Sequence, residues 1–73
     1  MKYNATCISN LGDTLYENDT DTMLPVIRKA QALMQSNIDN GNPTPDIIIW
    51  NTETENPVTR IWNDNGEVRT QIL

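Results

Sequence analysis

Two tryptophans and two arginines in the last third of the chain are the side chains best suited to contact a partner. Trp50 closes one β-branched run, Arg60 and Trp62 belong to a second, and Arg69 belongs to a third. Large aromatic side chains and arginine are enriched at the centres of protein interfaces. The opposing interpretation is packing within the chain, with Trp62 against Arg69 across a strand pair and Trp50 over Val58.

The carboxylates form a second candidate surface for partner binding. Glu17, Asp19 and Asp21 alternate without an intervening cation, and Glu53 and Glu55 stand in a later turn. If the first three stay in an extended segment, alternate carboxylates are about 7 Å apart, as phosphates are in a nucleic acid. The alternative is a solvated loop and a helix cap. A calcium loop fits less well, because its glycine step and its closing glutamate are missing.

Groups suited to catalysis or to metal binding are few. The chain has no histidine and a single cysteine, which removes Ser–His, Cys–His and histidine–metal sites. Cys7 falls in a strand pattern and is interpreted as a structural thiol. We therefore expect no enzyme activity, no metal and no cofactor. Paired carboxylates around a closed pocket would leave acid–base or small-ligand chemistry as a third alternative.

The charge balance narrows the class of partner. Ten carboxylates against five Lys or Arg give a net charge of −5, whereas a duplex-binding domain has a basic footprint. We expect no direct nucleic-acid binding and a protein partner, with basic nucleic-acid-binding grooves favoured by electrostatics. Solubility alone would also explain the acidity. No apolar run approaches the roughly 20 residues of a membrane span and the N-terminus is no signal peptide, so a cytoplasmic protein without membrane contact is expected.

One amphipathic helix is predicted in the middle of the chain. Apolar residues recur at helical spacing over residues 23–38. Asp21 or Thr22 would cap the start, and Pro25 falls in the first turn, where no amide is needed. Gly41, after an asparagine, would end the helix.

The N-terminal residues predict a strand or a hairpin. Residues 2–8 have a β-like composition, and residues 9–13 read as a turn in which Gly12 is able to take a positive φ. Residues 14–17 would form a short returning strand.

Three β-branched and aromatic runs after residue 45 predict an antiparallel meander. Asn65-Gly66 is the typical sequence of a type I′ hairpin turn, and the earlier connection is centred on residues 52–56. The second turn pairs Thr59 with Ile72, Arg60 with Gln71, Ile61 with Thr70 and Trp62 with Arg69. The first pairs Ile47 with Ile61, Ile48 with Arg60, Ile49 with Thr59 and Trp50 with Val58.

This register gives the meander two faces. The β-branched face should lie under the helix and carries Ile47, Ile49, Thr59, Ile61, Val68, Thr70 and Ile72. The opposite face, the tryptophan face, carries Ile48, Trp50, Val58, Arg60, Trp62, Arg69, Gln71 and Leu73. A partner, a second copy or the N-terminal segment must cover its tryptophans. The predicted fold is α+β, a single domain over residues 1–73 in which an N-terminal strand or hairpin and a three-stranded meander pack on one helix.

Residues 61–73 resemble the C-terminal hairpin of the phage inhibitors of uracil-DNA glycosylase. Those inhibitors are small, acidic α/β proteins that mimic DNA. The likeness is confined to this hairpin, and the acidic strand motif with which they contact the enzyme has no match here, so it assigns no site residue. Small acidic chains without histidine also include other phage-encoded inhibitors, anti-CRISPR proteins among them.

The leading hypothesis is a non-catalytic acidic protein-binding module, an inhibitor that a phage or mobile element directs against a host nucleic-acid-processing protein. It rests on the few catalytic groups, the acidic charge and the tryptophan face. The alternative is a small structural homo-oligomer or subunit, most simply a homodimer, whose tryptophan face is the subunit interface.

Overall fold

The computed structural model describes residues 2–18 and 22–73 as one sheet with one helix packed on it. The elements in chain order are β1 (Tyr3–Cys7), β2 (Asn10–Asn18), α1 (Leu24–Asp39), β3 (Ile47–Asn51), β4 (Asn56–Asp64) and β5 (Glu67–Ile72). Every strand pair is antiparallel, and the order across the sheet is β2-β1-β3-β4-β5. The predicted α+β class is confirmed. No helix within the described ranges is long and apolar enough to span a membrane.

The pairing of β1 with β3 joins the N-terminal hairpin to the meander. Ala5 pairs with Ile49 in the middle of this contact. Backbone hydrogen bonds extend it at both ends, from Ile8 N–H to the Asp46 carbonyl and from Thr52 N–H to the Lys2 carbonyl, each at 2.8 Å. β1 and β3 are therefore inner strands of one continuous sheet.

The N-terminal hairpin differs from its prediction. Its turn is Ile8-Ser9 rather than residues 9–13, and β2 has nine residues where four were predicted at 14–17. Gly12 lies inside β2, and the glycines with positive φ in the described chain are Gly41 and Gly66. Two register shifts along β1 accommodate the extra residues of β2, which is longer than β1 and mostly polar.

The end of α1 follows its predicted signal, whereas the start does so only in part, because the N-cap residue is Met23 and makes no side-chain cap hydrogen bond. Leu24 N–H donates to Thr22 Oγ1 at 3.4 Å, and a proline stands in the first turn. Asp21, the other predicted cap, lies outside the described residues. At the end of the helix, Gly41 has φ +69° and donates its N–H to the Ile38 carbonyl at 3.2 Å. This left-handed residue stops the helix where predicted.

The core lies between α1 and the inner strands. Its least exposed side chains are Ala5, Val26, Ala30, Met34, Ile47, Ile49, Thr59 and Ile61. The predicted face under the helix is therefore confirmed for β3 and β4. On the edge strand β5 it is only partly covered. Gln31 Nε2 of α1 donates to Thr70 Oγ1 at 2.9 Å, but Ile72 is 59% exposed.

The predicted register of the meander is confirmed except at one pair. All four predicted β4–β5 pairs are present, and Asn65 and Gly66 have φ values of 54° and 94°, as a type I′ turn requires. Between β3 and β4, Trp50 pairs with Pro57 instead of Val58. A register shift lies between Ile49 and Trp50 there, and proline has no N–H to continue a regular ladder.

Candidate functional site

The tryptophan face carries two groups of predicted partner-binding residues along the strand direction. One end, which we call the acidic end, contains Trp50 of β3, Glu53 and Glu55 of the turn that follows it, and Glu17 of β2. At the other, the arginine end, β4 and β5 carry Arg60, Trp62 and Arg69. The sheet register separates the two, because Trp50 is level with Pro57 in β4, several residues before Trp62.

Trp50 is held by the N-terminal hairpin. Its side chain is half-buried, and its indole N–H donates to Thr6 Oγ1 of β1 at 3.0 Å. Thr6 itself is only 3% exposed, so this bond satisfies a buried hydroxyl. Of the three predicted covers for the tryptophans, the N-terminal segment is the one found at Trp50.

An open groove of about 430 Å³ runs beside Trp50. It is lined by Asn4, Thr6, Leu11, Trp50, Asn51, Thr52 and Glu55. A single lining residue, Glu55, has a carboxylate, and the groove opens to solvent. It therefore differs from the closed pocket with paired carboxylates that acid–base chemistry would need.

The β3–β4 turn holds Glu55 in a left-handed conformation with φ +59°. Asn51 builds the turn, because its Oδ1 accepts hydrogen bonds from the N–H groups of Glu53 at 2.9 Å and Thr54 at 3.3 Å. A left-handed residue with a Cβ costs about 1–2 kcal/mol relative to the right-handed form. The chain therefore has a glutamate where glycine or asparagine would be less strained.

The register brings Glu17 to the same end of the face. Glu17 of β2 pairs with Asn4 of β1, which pairs with Trp50 of β3. Residues opposite one another share a face, so Glu17 and Trp50 flank Asn4 on the tryptophan face. The predicted carboxylate and tryptophan surfaces thus meet at one end of the sheet.

The carboxylates of the acidic end differ in their partners. Glu53 forms an ion pair with Lys2 Nζ at 3.2 Å. The ion pairs between described residues include neither Glu17 nor Glu55. Asp19 and Asp21 lie outside the described residues, so the spacing of carboxylates beyond Glu17 stays a prediction.

At the arginine end, the arginine over Trp62 is Arg60 and not the predicted Arg69. Its guanidinium carbon lies 4.5 Å from the ring centroid, and its Nε lies 2.7 Å from Asp46 Oδ2. Arg60 and Trp62 are two positions apart in β4 and share a face, so they meet without crossing strands. Asp46, the residue before β3, completes a stacked and charge-paired arrangement.

Arg69 has its own carboxylate partners. Its Nε lies 3.2 Å from Asp64 Oδ2, and one terminal nitrogen lies 2.8 Å from Glu67 Oε2. Both arginines of this face are therefore paired with carboxylates of the same chain. On the tryptophan face, the charged side chains without an ion-pair partner among the described residues are Glu17 and Glu55. Both lie at the acidic end, so the charge offered to a partner there is negative.

Sequence reasoning selected these candidates one segment at a time and missed the residues that join them. Asn4 and Thr6 of β1 and Asp46 before β3 contact or pair with the predicted residues. No local motif marks them, since each acquires its neighbours through strand pairing.

The described residues contain no cluster of three or more Cys, Asp or Glu side chains that could hold a metal ion. No family model, no curated protein and no solved structure matches the chain. The site must therefore be interpreted from its own chemistry.

Asn4 gives a testable stability effect within the site. Its Oδ1 is buried and accepts no hydrogen bond from the described residues. A buried polar atom without a partner costs about 1–3 kcal/mol, and valine suits an inner strand. We expect Asn4→Val to raise the free energy of unfolding by about 1 kcal/mol, measured by urea denaturation.

Asn63→Val is the matched control for that substitution. Asn63 Nδ2 donates to Thr44 Oγ1 at 3.1 Å, and its Oδ1 accepts from Gly66 N–H at 2.8 Å. The same substitution there removes two hydrogen bonds and should destabilise the fold by about 1–2 kcal/mol. A loss of stability in Asn4→Val would contradict the assignment of an unpaired amide oxygen.

Proposed function

We propose that this chain is a non-catalytic protein-binding module whose acidic end contacts a basic surface on another protein. The observation that carries the proposal is that Trp50 and Glu55 line one open groove, while Glu17 lies opposite Asn4, another lining residue, in the sheet. The tryptophan and the two glutamates come from two distant parts of the sequence, Glu17 from β2 and the other two from β3 and the turn that follows it. The fold brings an aromatic side chain and carboxylates without ion-pair partners among the described residues to the same end of the sheet.

The backbone of Glu55 supports this interpretation. Strained residues tend to concentrate at functional sites, where the surrounding structure holds them. Asn51 fixes this turn, and glycine would relieve the strain at position 55, yet the residue is a glutamate with its carboxylate beside the groove. A functional need for a negative charge at position 55 explains the glutamate better than the stability of the turn does.

The class of partner follows from charge. A chain of net charge −5 is attracted to basic surfaces, and carboxylates at the rim of an interface raise the association rate. A half-buried tryptophan beside them supplies the apolar contact area that carries binding energy. The groove of a nucleic-acid-processing protein has this basic character. The proposed role is an inhibitor encoded by a phage or mobile element and acting in the host cytoplasm.

The test is a capture experiment with competition by DNA. Immobilised protein is exposed to host lysate, and the bound proteins are identified and then challenged with duplex DNA. We expect capture of a nucleic-acid-binding protein that the duplex displaces, since both ligands would occupy one basic groove. We expect the Glu17→Gln/Glu55→Gln variant to weaken binding more than about tenfold, as loss of two interfacial charge contacts implies.

Asp13→Asn/Asp39→Asn is the charge-matched control. Asp13 lies in β2 and Asp39 ends α1, neither lines the groove or forms an ion pair with a described residue, and the double variant changes the net charge by the same amount. It should keep wild-type affinity. Equal weakening by the two double variants would show that only net charge matters and would overturn the proposal, as would binding that duplex DNA leaves unchanged.

A further inference from the structure

β5 is an edge strand whose outer backbone groups are unpaired. Leu73 N–H donates to the Val58 carbonyl at 3.0 Å, so Leu73 points its backbone toward β4. Backbone direction alternates along an antiparallel strand. Val68, Thr70 and Ile72 therefore direct their N–H and C=O groups away from β4, and no hydrogen bond between described residues reaches those groups.

The two edges of the sheet differ in how they are protected. β2, at the opposite edge, is paired through two register shifts and so departs from a regular ladder. Bulged edges of this kind resist pairing with another chain. β5 pairs with β4 over six consecutive residues without a shift, from Glu67 to Ile72. Its outer edge is accordingly a regular template for one more strand.

The sequence of β5 is complementary to itself in one antiparallel register. A two-fold axis at Thr70 pairs Thr70 with its copy and Val68 with Ile72 of the copy. All of these residues have outward backbone groups, so they form the hydrogen-bonded pairs that the ladder needs. The alternate pairs are Arg69 with Gln71 and Glu67 with Leu73, neither of which opposes like charges.

The registers shifted toward the hairpin turn are poorer. An axis at Arg69 would oppose two arginines directly, and an axis at Val68 would pair fewer residues of the strand because the hairpin turn begins at Asn65. In the Thr70 register the two arginines are only diagonal neighbours. Each also has carboxylate partners in its own chain, at 3.2 and 2.8 Å.

Two large apolar side chains are exposed at the end of the same strand. Ile72 and Leu73 are each 59% exposed, on opposite faces of the sheet. In the Thr70 register Ile72 would pack against Val68 of the second copy. We propose that a second copy of this chain pairs along β5, giving a weak homodimer with a sheet continuous through both subunits. This contact is separate from the acidic end and leaves the proposed groove open.

Sedimentation over a concentration series tests the dimer with two matched variants. Ile72→Lys places a charge at the strand contact twice in each dimer, and we expect it to weaken dimerisation more than about tenfold. Ile8→Lys makes the same change at an isoleucine that is 54% exposed in the β1–β2 turn, and it should dimerise as the wild type does. A monomeric wild type up to about 1 mM, or equal effects of the two variants, would overturn the proposal.

Oxidative cross-linking tests the register itself, in a Cys7→Ala background. In the proposed pairing the two copies of residue 70 have Cα atoms about 5.5 Å apart, within disulfide range. The two copies of residue 68 lie about 14 Å apart along the strands. Thr70→Cys should therefore form covalent dimers much faster than Val68→Cys. Equal rates would exclude this register, and a dimer through the tryptophan face would cross-link neither.

Discussion

Ile49→Ala is expected to lower the free energy of unfolding by about 2–5 kcal/mol. Ile49 is 0% exposed and lies in the middle of β3, paired with Ala5 on one side and Thr59 on the other. Truncation removes apolar contacts and leaves a cavity beneath α1 that two flanking strands cannot easily close. A core in a chain this short contributes only about 3–5 kcal/mol of net stability, so a loss near the upper end of this range would leave most of the protein unfolded.

Ile72→Ala is the matched control for this prediction. Both residues are isoleucines on the helix side of the sheet, but Ile72 is 59% exposed. Its truncation should change stability by less than about 0.5 kcal/mol. The measurement is urea denaturation followed by circular dichroism in dilute solution, where self-association is negligible. Similar losses in the two variants would contradict the assignment of the core to the centre of the sheet.

The elements that could be predicted are those with strong local signals. Asn65-Gly66 defines a hairpin because both positions need positive φ, and that turn then sets every pair between β4 and β5. The helix was predictable from its apolar spacing and from Gly41 at its end. Once the register is set, the alternation of side chains determines which face lies under the helix.

The pairing of β1 with β3 could not be predicted in the same way. The hydrogen bond between Thr6 and Trp50 joins residues 44 positions apart. No turn signal relates such distant segments, and either edge of the meander could have accepted another strand. The wrong turn near Gly12 has a similar cause, because consecutive polar and glycine residues offer several turn positions and tertiary pairing selects among them.

The sequence therefore predicted individual residues of the candidate site but not that they lie close together. Trp50, Glu17 and Glu55 were each chosen for their residue type. One turn joins Trp50 to Glu55, but only the sheet order brings Glu17 to the same end. Arg60 and Arg69 were chosen in the same way, but each pairs with a nearby carboxylate. The two ends of the face differ in their ion pairs, because both arginines are paired and Glu17 and Glu55 are not paired with described residues. Ion pairing depends on the positions of the side chains in the fold, which residue types alone do not specify.

Replacing both tryptophans of the face by alanine is expected to lower the free energy of unfolding by about 4 kcal/mol. Each side chain is half-buried, and its loss should cost roughly 2 kcal/mol of apolar burial. Trp50→Ala also leaves the buried Thr6 hydroxyl without its donor, and Trp62→Ala removes the ring beneath Arg60. The two sites are far enough apart along the sheet for their losses to add.

Circular dichroism is the suitable probe for this double variant, because the substitutions remove both tryptophans, the main fluorescent side chains. Trp50→Phe/Trp62→Phe is the control, since phenylalanine keeps most of the buried area and should lose less than half as much stability. If the double alanine variant stays within about 1 kcal/mol of wild type, the tryptophans add little to the fold and the face is uncovered. If the double alanine variant loses stability as expected, a loss of partner binding in that variant would reflect unfolding and not the loss of an interface contact. The carboxylate pair Glu17 and Glu55 is therefore the sharper test of the interface.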